Sequence, residues 1–268
     1  MTMLAIVPAR LAATRLPRKP LRLLAGVPLV VRVWERVQAI AVADRVVIAT
    51  DSDEVAHAVR DAGAECVLTS DQHPSGTDRV AEVAARREFA GYEAIVNVQG
   101  DEPFVSADAV RGAADLVASG RFPLGTAAAK ADARILARPD VVKVVTSDDG
   151  RALYFSRAAV PHLREAGDAG DTAARDALVR QHVGVYAYTR EALAAWVRLP
   201  THALERVERL EQLRPLAAGI AMGVATIDEV PQFGIDTEDD LLRANARWDA
   251  GVDGRIGTER HVAAHQRG

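Results

Sequence analysis

The stretch VNVQGDEP (Val96–Pro103) places two acidic residues directly after a run of β-branched residues. The apolar run Ile95–Val98 predicts a short buried strand. Gly100 then permits a turn or a close approach to a ligand. Asp101 and Glu102 therefore follow the carboxyl end of a core strand, where ligands bind in open α/β sheets. Two such acids suit Mg²⁺, which prefers oxygen ligands, and a solvated acidic turn is the alternative that these residues leave open.

The chain around this stretch repeats a strand, a loop and a helix four times. The predicted strands are Leu4–Val7, Arg45–Ala49, Glu65–Leu68 and Ile95–Val98, and the predicted helices end near Ile40, Ala62, Glu88 and Ser119. Strands that alternate with helices indicate an α/β fold with a mostly parallel central sheet and helices on both faces.

The second half of the chain follows a different pattern. We predict a β-hairpin with an Asp-Gly turn over residues 141–157, a strand over His182–Tyr188, a helix over Leu204–Arg214, a last strand over Ala221–Ile227 and a final helix capped by Thr237. The alternation in the His182–Tyr188 strand places His182, Gly184, Tyr186 and Tyr188 on one face.

A basic loop follows the first predicted strand. Arg10, Arg15 and Lys19 lie in this loop, and their forked or point-charge donors suit phosphate oxygens. A solvated basic loop is the alternative, but the position at a strand's carboxyl end favours anion binding. The chain has neither a G-x-x-x-x-G-K-[ST] loop nor a G-x-G-x-x-G motif, which excludes the two common nucleotide fingerprints.

Composition limits the classes of function. The 268 residues are 49% hydrophobic and 26% charged, which is ordinary for a soluble globular protein. The net charge of −4 argues against non-specific nucleic-acid binding, and the single cysteine, Cys66, excludes an internal disulfide and a multi-cysteine metal site. We find neither a signal peptide nor a membrane span, so we expect a cytoplasmic protein without a membrane partner.

Eleven motifs in collinear order resemble one enzyme family. The chain resembles the 3-deoxy-manno-octulosonate cytidylyltransferase (CMP-Kdo synthetase) family from about residue 4 to residue 243. The motifs are Pro8–Arg10, Thr14–Pro17, Lys19–Leu21, Ser75–Arg79, Val96–Pro103, Val141–Val145, Ala152–Arg157, His182–Tyr186, Leu204–Glu205, Glu208–Arg214 and Gly234–Thr237. The CMP-sialic acid synthetases share the fold and the first basic loop, whereas the later motifs resemble the Kdo branch.

This resemblance implies an enzyme with a nucleotide-diphospho-sugar transferase (glycosyltransferase-A-like) fold. The implied reaction transfers CMP from CTP to the anomeric hydroxyl of the acidic sugar Kdo and releases pyrophosphate, for lipopolysaccharide or another surface glycan. The implied organisation is a single domain over residues 1–250, with residues 1–125 mainly binding CTP and residues 126–250 mainly binding the sugar acid and forming a homodimer. Residues 251–268 are expected to be a C-terminal tail.

The resemblance also implies roles for individual residues. Arg10, Arg15 and Lys19 would hold the triphosphate, and Ser75, Gly76 and Arg79 would help hold the cytidine. Asp101 and Asp236 would bind the Mg²⁺ cofactor. The predicted catalytic residues are Arg15, Lys19, Asp101 and Asp236. The sugar-acid pocket would be lined by Gln99, Arg157, His182, Tyr186, Glu211 and Gln212.

Two departures from the family pattern keep other acceptors open. Arg18 stands where the family commonly has glycine, so the loop is expected either to take another path or to gain a phosphate contact. Gln181 stands where a cation is frequent. The alternatives are a cytidylyltransferase for amino-Kdo, a sialic-like acid or a phosphonate, and a nucleotide-binding protein without turnover.

Overall fold

The computed structural model describes residues 1–12, 14–162, 177–228 and 234–249. The chain forms two compact units: the first comprises Met1–Leu4, Ala84–Asn97 and Ser106–Pro231, and the second comprises Ala5–Val83, Val98–Val105 and Gln232–Gly268. The expected tail over residues 251–268 lies outside the described residues, and the single domain over residues 1–250 with its two functional halves stays a prediction.

The elements are numbered here in chain order. The strands are β1 (Met3–Ala9), β2 (Leu23–Leu24), β3 (Val27–Pro28), β4 (Arg45–Thr50), β5 (Glu65–Leu68), β6 (Ala94–Asn97), β7 (Leu124–Lys130), β8 (Lys143–Thr146), β9 (Ala152–Ser156), β10 (Arg180–Thr189) and β11 (Met222–Ile227). The α-helices are α1 (Leu29–Ile40), α2 (Asp53–Asp61), α3 (Gly76–Ala85), α4 (Ala107–Ala118), α5 (Arg190–Arg198), α6 (Ala203–Glu208), α7 (Leu213–Ala217) and α8 (Glu238–Asp249). Among the described residues, no helix is long and apolar enough to cross a membrane.

The second unit contains most of β1, together with β4 and β5 in the order β1-β4-β5. β4 and β5 are parallel, as the strand and helix alternation predicts. All seven residues of β1 are buried, and the strand continues through Pro8 to Ala9. The strand predicted over Leu4–Val7 therefore extends two residues further, because the proline ring fixes φ at a value that an extended chain also adopts.

The first unit contains the strand order β11-β7-β10-β6, and β8 pairs with both β9 and β10. β11 is parallel to β7, whereas β10 runs antiparallel to β6 and β7. The predicted hairpin of β8 and β9 is confirmed, with Gly150 at φ +83° in its turn.

Strand β7 is absent from the sequence-based prediction. Its sequence LGTAAAK is rich in alanine and glycine, which are uncommon in strands. The structure explains the glycine, since a Cβ at Gly125 would lie 2.2 Å from the Ala113 carbonyl oxygen of α4. The close approach of α4 therefore selects glycine at position 125, and strand propensity alone does not reveal this approach.

The predicted helix over Leu204–Arg214 is wrong, because the chain forms the two short helices α6 and α7 instead. Arg209 adopts a left-handed conformation with φ +53°, which ends α6. Leu210 and Leu213 are buried as the amphipathic pattern predicts. The periodicity thus identifies the buried residues but misses the break.

Arg18 also adopts a left-handed conformation, with φ +58° and ψ +31°. This is the backbone region that glycine favours, so arginine does not move residue 18 out of it. Its guanidinium forms an ion pair with Glu54 of α2. The expectation for Arg18 was either a new loop path or a phosphate contact. In the structure the Arg18 side chain pairs with Glu54 of the protein itself.

Candidate active site

A pocket of about 440 Å³ lies within the second unit. This volume is within the range of about 300–1,000 Å³ that is typical of small-molecule sites. Nine of the residues predicted from the sequence line it: Arg10, Arg15, Lys19, Ser75, Gly76, Arg79, Gln99, Asp101 and Asp236. The fold thus brings together side chains from four separate chain segments.

Two backbone features position the acidic end of the pocket. Lys19 begins a short 3₁₀ helix, Lys19–Leu21, in which Pro20 is buried. A Cβ at Gly100 would lie 2.6 Å from the Pro8 carbonyl oxygen, a distance that real Cβ atoms do not reach. Glycine at position 100 therefore allows the Asp101 segment to pack against the end of β1.

A charge cluster joins the basic loop to the two predicted metal ligands. Lys19 Nζ donates to Asp101 Oδ2 at 2.6 Å and to Asp236 Oδ1 at 2.9 Å. Arg15 Nη2 lies 3.0 Å from Asp236 Oδ2, but the Arg15 side chain is 67% exposed whereas that of Lys19 is 19% exposed. Burial lowers the pKa of Lys19, but Asp101 and Asp236 outweigh burial and raise it, so the ammonium stays charged.

Glu102 lies beside this cluster and is protonated at neutral pH. Burial raises the pKa of Glu102 to about 8, with further contributions from Asp101 and Asp236 and an opposing one from Lys19. Within residues 1–12, 14–162, 177–228 and 234–249, no group of three or more His, Cys, Asp or Glu side chains forms a metal site. A third His, Cys, Asp or Glu side chain in these ranges does not complete a metal site with Asp101 and Asp236.

The raised pKa of Glu102 predicts a pH-dependent stability. Between about pH 4.5 and pH 8 the folded protein holds a proton that the unfolded chain releases. The free energy of unfolding should therefore fall as the pH rises through this window, by up to about 1.4 kcal/mol per pH unit. Glu102→Gln cannot titrate, so urea unfolding from pH 5 to pH 8.5 without metal should show a flatter profile for this variant. Identical profiles for both proteins would contradict the prediction.

Arg79 is buried and is held by residues that the sequence analysis did not identify. Its Nη2 atom lies 2.8 Å from Asp51 Oδ2, and its Nη1 atom donates to Thr69 Oγ1. Asp51 Oδ1 also accepts a 3.3 Å hydrogen bond from the Leu11 backbone N–H in the first loop. Ser52 rather than Asp51 caps α2, so the Asp51 carboxylate serves Arg79 and the first loop. In the sequence, the position of Asp51 directly after β4 is the feature that could have indicated a role at the pocket.

Ser75 and Gly76 lie at the start of α3. Ser75 Oγ donates to Asp78 Oδ2 at 2.7 Å and accepts from the Asp78 N–H at 3.2 Å, which is a helix-capping arrangement. A Cβ at Gly76 would lie 3.4 Å from Pro8 Cγ and 3.6 Å from Gln99 Oε1. The segment therefore both caps a helix and lines the pocket.

The first unit contains the other predicted sugar-acid residues, beginning with Arg157 after β9. Glu208 Oε2 accepts the Arg157 backbone N–H at 2.9 Å, and the Glu208 carbonyl oxygen accepts Arg157 Nε at 2.8 Å. The buried Lys143 ammonium donates to the carbonyl oxygens of Arg157 and Val141, the latter at 2.7 Å. Glu208 and Lys143 thus hold Arg157 in place. Glu208 ends a helix and Lys143 begins a strand, and neither position indicates this role in the sequence.

His182 and Tyr186 share an aromatic cluster on β10. Their ring centroids are 5.6 Å apart, and Phe155 lies 4.9 Å from His182. His182 Nε2 is 3.0 Å from Thr126 Oγ1, which donates to the Val185 carbonyl oxygen at 2.8 Å. Burial lowers the pKa of His182 to about 3, so the imidazole is neutral and offers hydrogen bonds rather than a charge.

Glu211 and Gln212 follow in the turn between α6 and α7. Gln212 is 4% exposed, and Glu211 Oε1 lies 4.0 Å from Arg214 Nη2. Burial, then the charges of Tyr188 and Glu211, raise the pKa of Tyr186. Of the six predicted sugar-acid residues, Gln99 lies in the second unit and the other five lie in the first unit. Their shared role stays a prediction.

Known proteins similar to this chain were identified by sequence and by structure. The family model described as cytidylyltransferase matches residues 4–224. A 3-deoxy-manno-octulosonate cytidylyltransferase of Gemmatimonas aurantiaca is 60% identical over 249 residues, covering 93% of this chain and 95% of that protein. The enzyme of the same name from Yersinia enterocolitica is 44% identical over 247 residues, covering 92% and 98%.

Two solved structures share the fold. A CMP:2-keto-3-deoxy-manno-octonic acid synthetase complexed with CTP superposes with a TM-score of 0.84 at 33% identity, covering 93% of this chain and 99% of that one. A cytidylyltransferase from Leptospira borgpetersenii has a TM-score of 0.59 at 14% identity, covering 93% and 87%, and shows the fold alone. These matches confirm the predicted α/β fold with a mostly parallel central sheet.

Proposed function

This chain belongs to the 3-deoxy-manno-octulosonate cytidylyltransferase family and is a nucleotidyltransferase; we propose that the pocket of its second unit binds CTP for transfer of CMP to Kdo. The reaction forms a bond between the anomeric oxygen of Kdo and the α-phosphorus of CTP and breaks the bond to pyrophosphate. The product is an activated sugar for lipopolysaccharide or another surface glycan.

One observation carries this assignment to the pocket: three cationic side chains and two carboxylates line the same cavity. Arg10, Arg15 and Lys19 supply the positive charge, and Asp101 and Asp236 supply the hard oxygen donors. A nucleoside triphosphate brings several negative charges, and its metal ion prefers oxygen ligands. The pocket therefore offers positive charge to the triphosphate and negative charge to its metal ion.

The Asp101 and Asp236 carboxylates fit the Mg²⁺ that the family implies. Both acids place an oxygen within 2.9 Å of one point, the Lys19 ammonium nitrogen, so they converge on a single cation. When bound there, Mg²⁺ would neutralise charge on the phosphates and stabilise the charge that develops during in-line displacement. We therefore assign Mg²⁺ to these two residues as a proposal.

The other residues bind and orient the substrates. Arg10, Arg15 and Lys19 would donate to phosphate oxygens, so that the anionic acceptor approaches a neutralised nucleotide. Ser75, Gly76 and Arg79 would contact the cytidine. We propose that the first unit binds the acceptor, with the Arg157 guanidinium as a cationic donor for its carboxylate and the neutral His182 as a hydrogen-bonding partner for a hydroxyl.

Homodimer formation and a cytoplasmic location are also proposals. Exposed apolar side chains of the first unit support a dimer: Leu153 is 53% exposed, Leu178 is 52% exposed and Val207 is 84% exposed. Removal of such apolar surface from water would favour association of two chains. Light scattering behind a sizing column would test this, with a mass near 57 kDa expected for a dimer of the 28.7 kDa chain.

The acceptor is tested by product identification. The protein is incubated with CTP, Mg²⁺ and one acceptor at a time from Kdo, amino-Kdo, a sialic acid and a phosphonate, and the products are resolved by ³¹P NMR. A CMP diester signal that forms fastest with Kdo is expected. A higher kcat/KM with another acceptor would instead support a related cytidylyltransferase, and tight CTP binding without any product would support a binding protein.

A further inference from the structure

The Lys19 ammonium occupies the point at which the two predicted metal ligands converge. Its Nζ atom lies 2.6 Å from Asp101 Oδ2 and 2.9 Å from Asp236 Oδ1. The side chain is 19% exposed, and the backbone of Lys19 is held at the start of a 3₁₀ helix. One cation of the protein therefore pairs with both carboxylates from the position that a metal ion would use.

We propose that Lys19 is an internal counter-cation for the metal site and must leave it before a divalent cation binds there. This inference rests on the proposed function, in which Asp101 and Asp236 bind Mg²⁺. The same carboxylate oxygens cannot coordinate a metal at about 2.1 Å while an ammonium hydrogen-bonds to them from the same side. Lys19 and the metal therefore compete for one position.

The nucleotide provides the alternative partner for Lys19. Lysine has a flexible four-carbon stem with three rotatable donors, so its ammonium can turn to a phosphate oxygen without backbone movement. The pocket that would receive the triphosphate is lined by Lys19 itself. Nucleotide binding would thus free the carboxylates for the metal, and by linkage each ligand would strengthen the binding of the other.

Arg15 provides a matched comparison within the same cluster. It contacts only the Asp236 carboxylate in this cluster, at 3.0 Å, and its side chain is 67% exposed, so water screens this pair more than it screens Lys19. Removing either side chain deletes one positive charge from the pocket. Only removal of Lys19 vacates the position shared by both carboxylates.

The test measures Mn²⁺ binding to the full chain without nucleotide, by electron paramagnetic resonance of free Mn²⁺. Lys19→Met should bind Mn²⁺ at least about tenfold more tightly than the wild type, equivalent to about 1.4 kcal/mol. Arg15→Met should change the affinity by less than about threefold, a shift of under about 0.7 kcal/mol. Added Mn²⁺ should also raise the melting temperature of Lys19→Met more than that of the wild type, which reports binding even if the variant is less stable.

Three results would overturn the inference. Unchanged or weaker Mn²⁺ binding by Lys19→Met would show that Lys19 does not compete with the metal. If Arg15→Met gains as much Mn²⁺ affinity as Lys19→Met, the gain comes from the loss of any positive charge in the pocket and not from the position of Lys19. If the double variant Asp101→Asn with Lys19→Met keeps the gain, then Asp101 is not a ligand and the proposed metal site itself is wrong. A gain that appears in Lys19→Met and is lost in the double variant supports the inference.

Discussion

Asp101→Asn should lower kcat for Kdo-dependent pyrophosphate release by about a thousandfold, equivalent to about 4 kcal/mol of barrier. The neutral amide keeps the size of the side chain but removes the charge that would hold the metal and that faces Lys19 at 2.6 Å. Without this carboxylate, the developing phosphate charge is poorly stabilised, and the Lys19 ammonium has only Asp236 as an acidic partner in the cluster. Steady-state kinetics with a coupled pyrophosphate assay would measure the loss.

Asp61→Asn is the matched control for this prediction. Asp61 is an exposed residue at the end of α2, in the same unit, and the change removes the same charge. Its kcat should stay within about twofold of the wild-type value, a difference of under about 0.5 kcal/mol in the barrier. A loss below about tenfold in Asp101→Asn would rule out a direct metal-ligand role for Asp101.

Gly100→Ala should reduce kcat by about a hundredfold and destabilise the fold by about 1–3 kcal/mol. The added methyl carbon would lie 2.6 Å from the Pro8 carbonyl oxygen and 3.4 Å from Ala9 Cβ. Because the nearest atom belongs to the backbone of a buried strand, the segment that carries Asp101 has to move instead. A shift of this kind separates the Asp101 carboxylate from Asp236, and the pair loses its convergence on one cation.

Gly91→Ala is the control for steric overlap. A Cβ at Gly91 has no heavy atom within 4 Å, and the residue does not have a positive φ. This variant should keep wild-type activity and a melting temperature within about 2 °C of the wild type, as is usual for surface substitutions. If Gly100→Ala shows wild-type kinetics, the packing of this segment against β1 does not position Asp101.

The strands and helices around the pocket could be predicted because the local patterns agree with the tertiary structure. The alternation of β4, α2 and β5 follows from short apolar runs and from Ser52 as a cap. The family resemblance then identified nine residues that line the pocket. Motifs in the same order along the chain occupy the same places in the fold, even where the role of a single residue cannot be read from its type. The phosphate-binding and metal-binding roles could be inferred from the type of each residue. The spacing of these residues along the sequence did not indicate those roles.

Two of the failures have a common physical origin, which is that long-range contacts select residues against local preference. Position 125 of β7 is a glycine because α4 approaches it closely. Arg209, which ends α6 with a positive φ despite a continuous helical pattern, is a separate local feature. Asp51 follows β4 where turn residues are common, yet it pairs with Arg79, which is 28 residues away in the sequence. Local propensity carries no information about such partners.

The central claim is that this chain transfers CMP from CTP to Kdo with metal assistance. The most direct test is pyrophosphate release from CTP and Mg²⁺, measured with and without Kdo and repeated with excess chelator. Release that requires both Kdo and free Mg²⁺ is the predicted result. Pyrophosphate release that is the same without Kdo, or no release with Kdo despite measurable CTP binding, would contradict the claim.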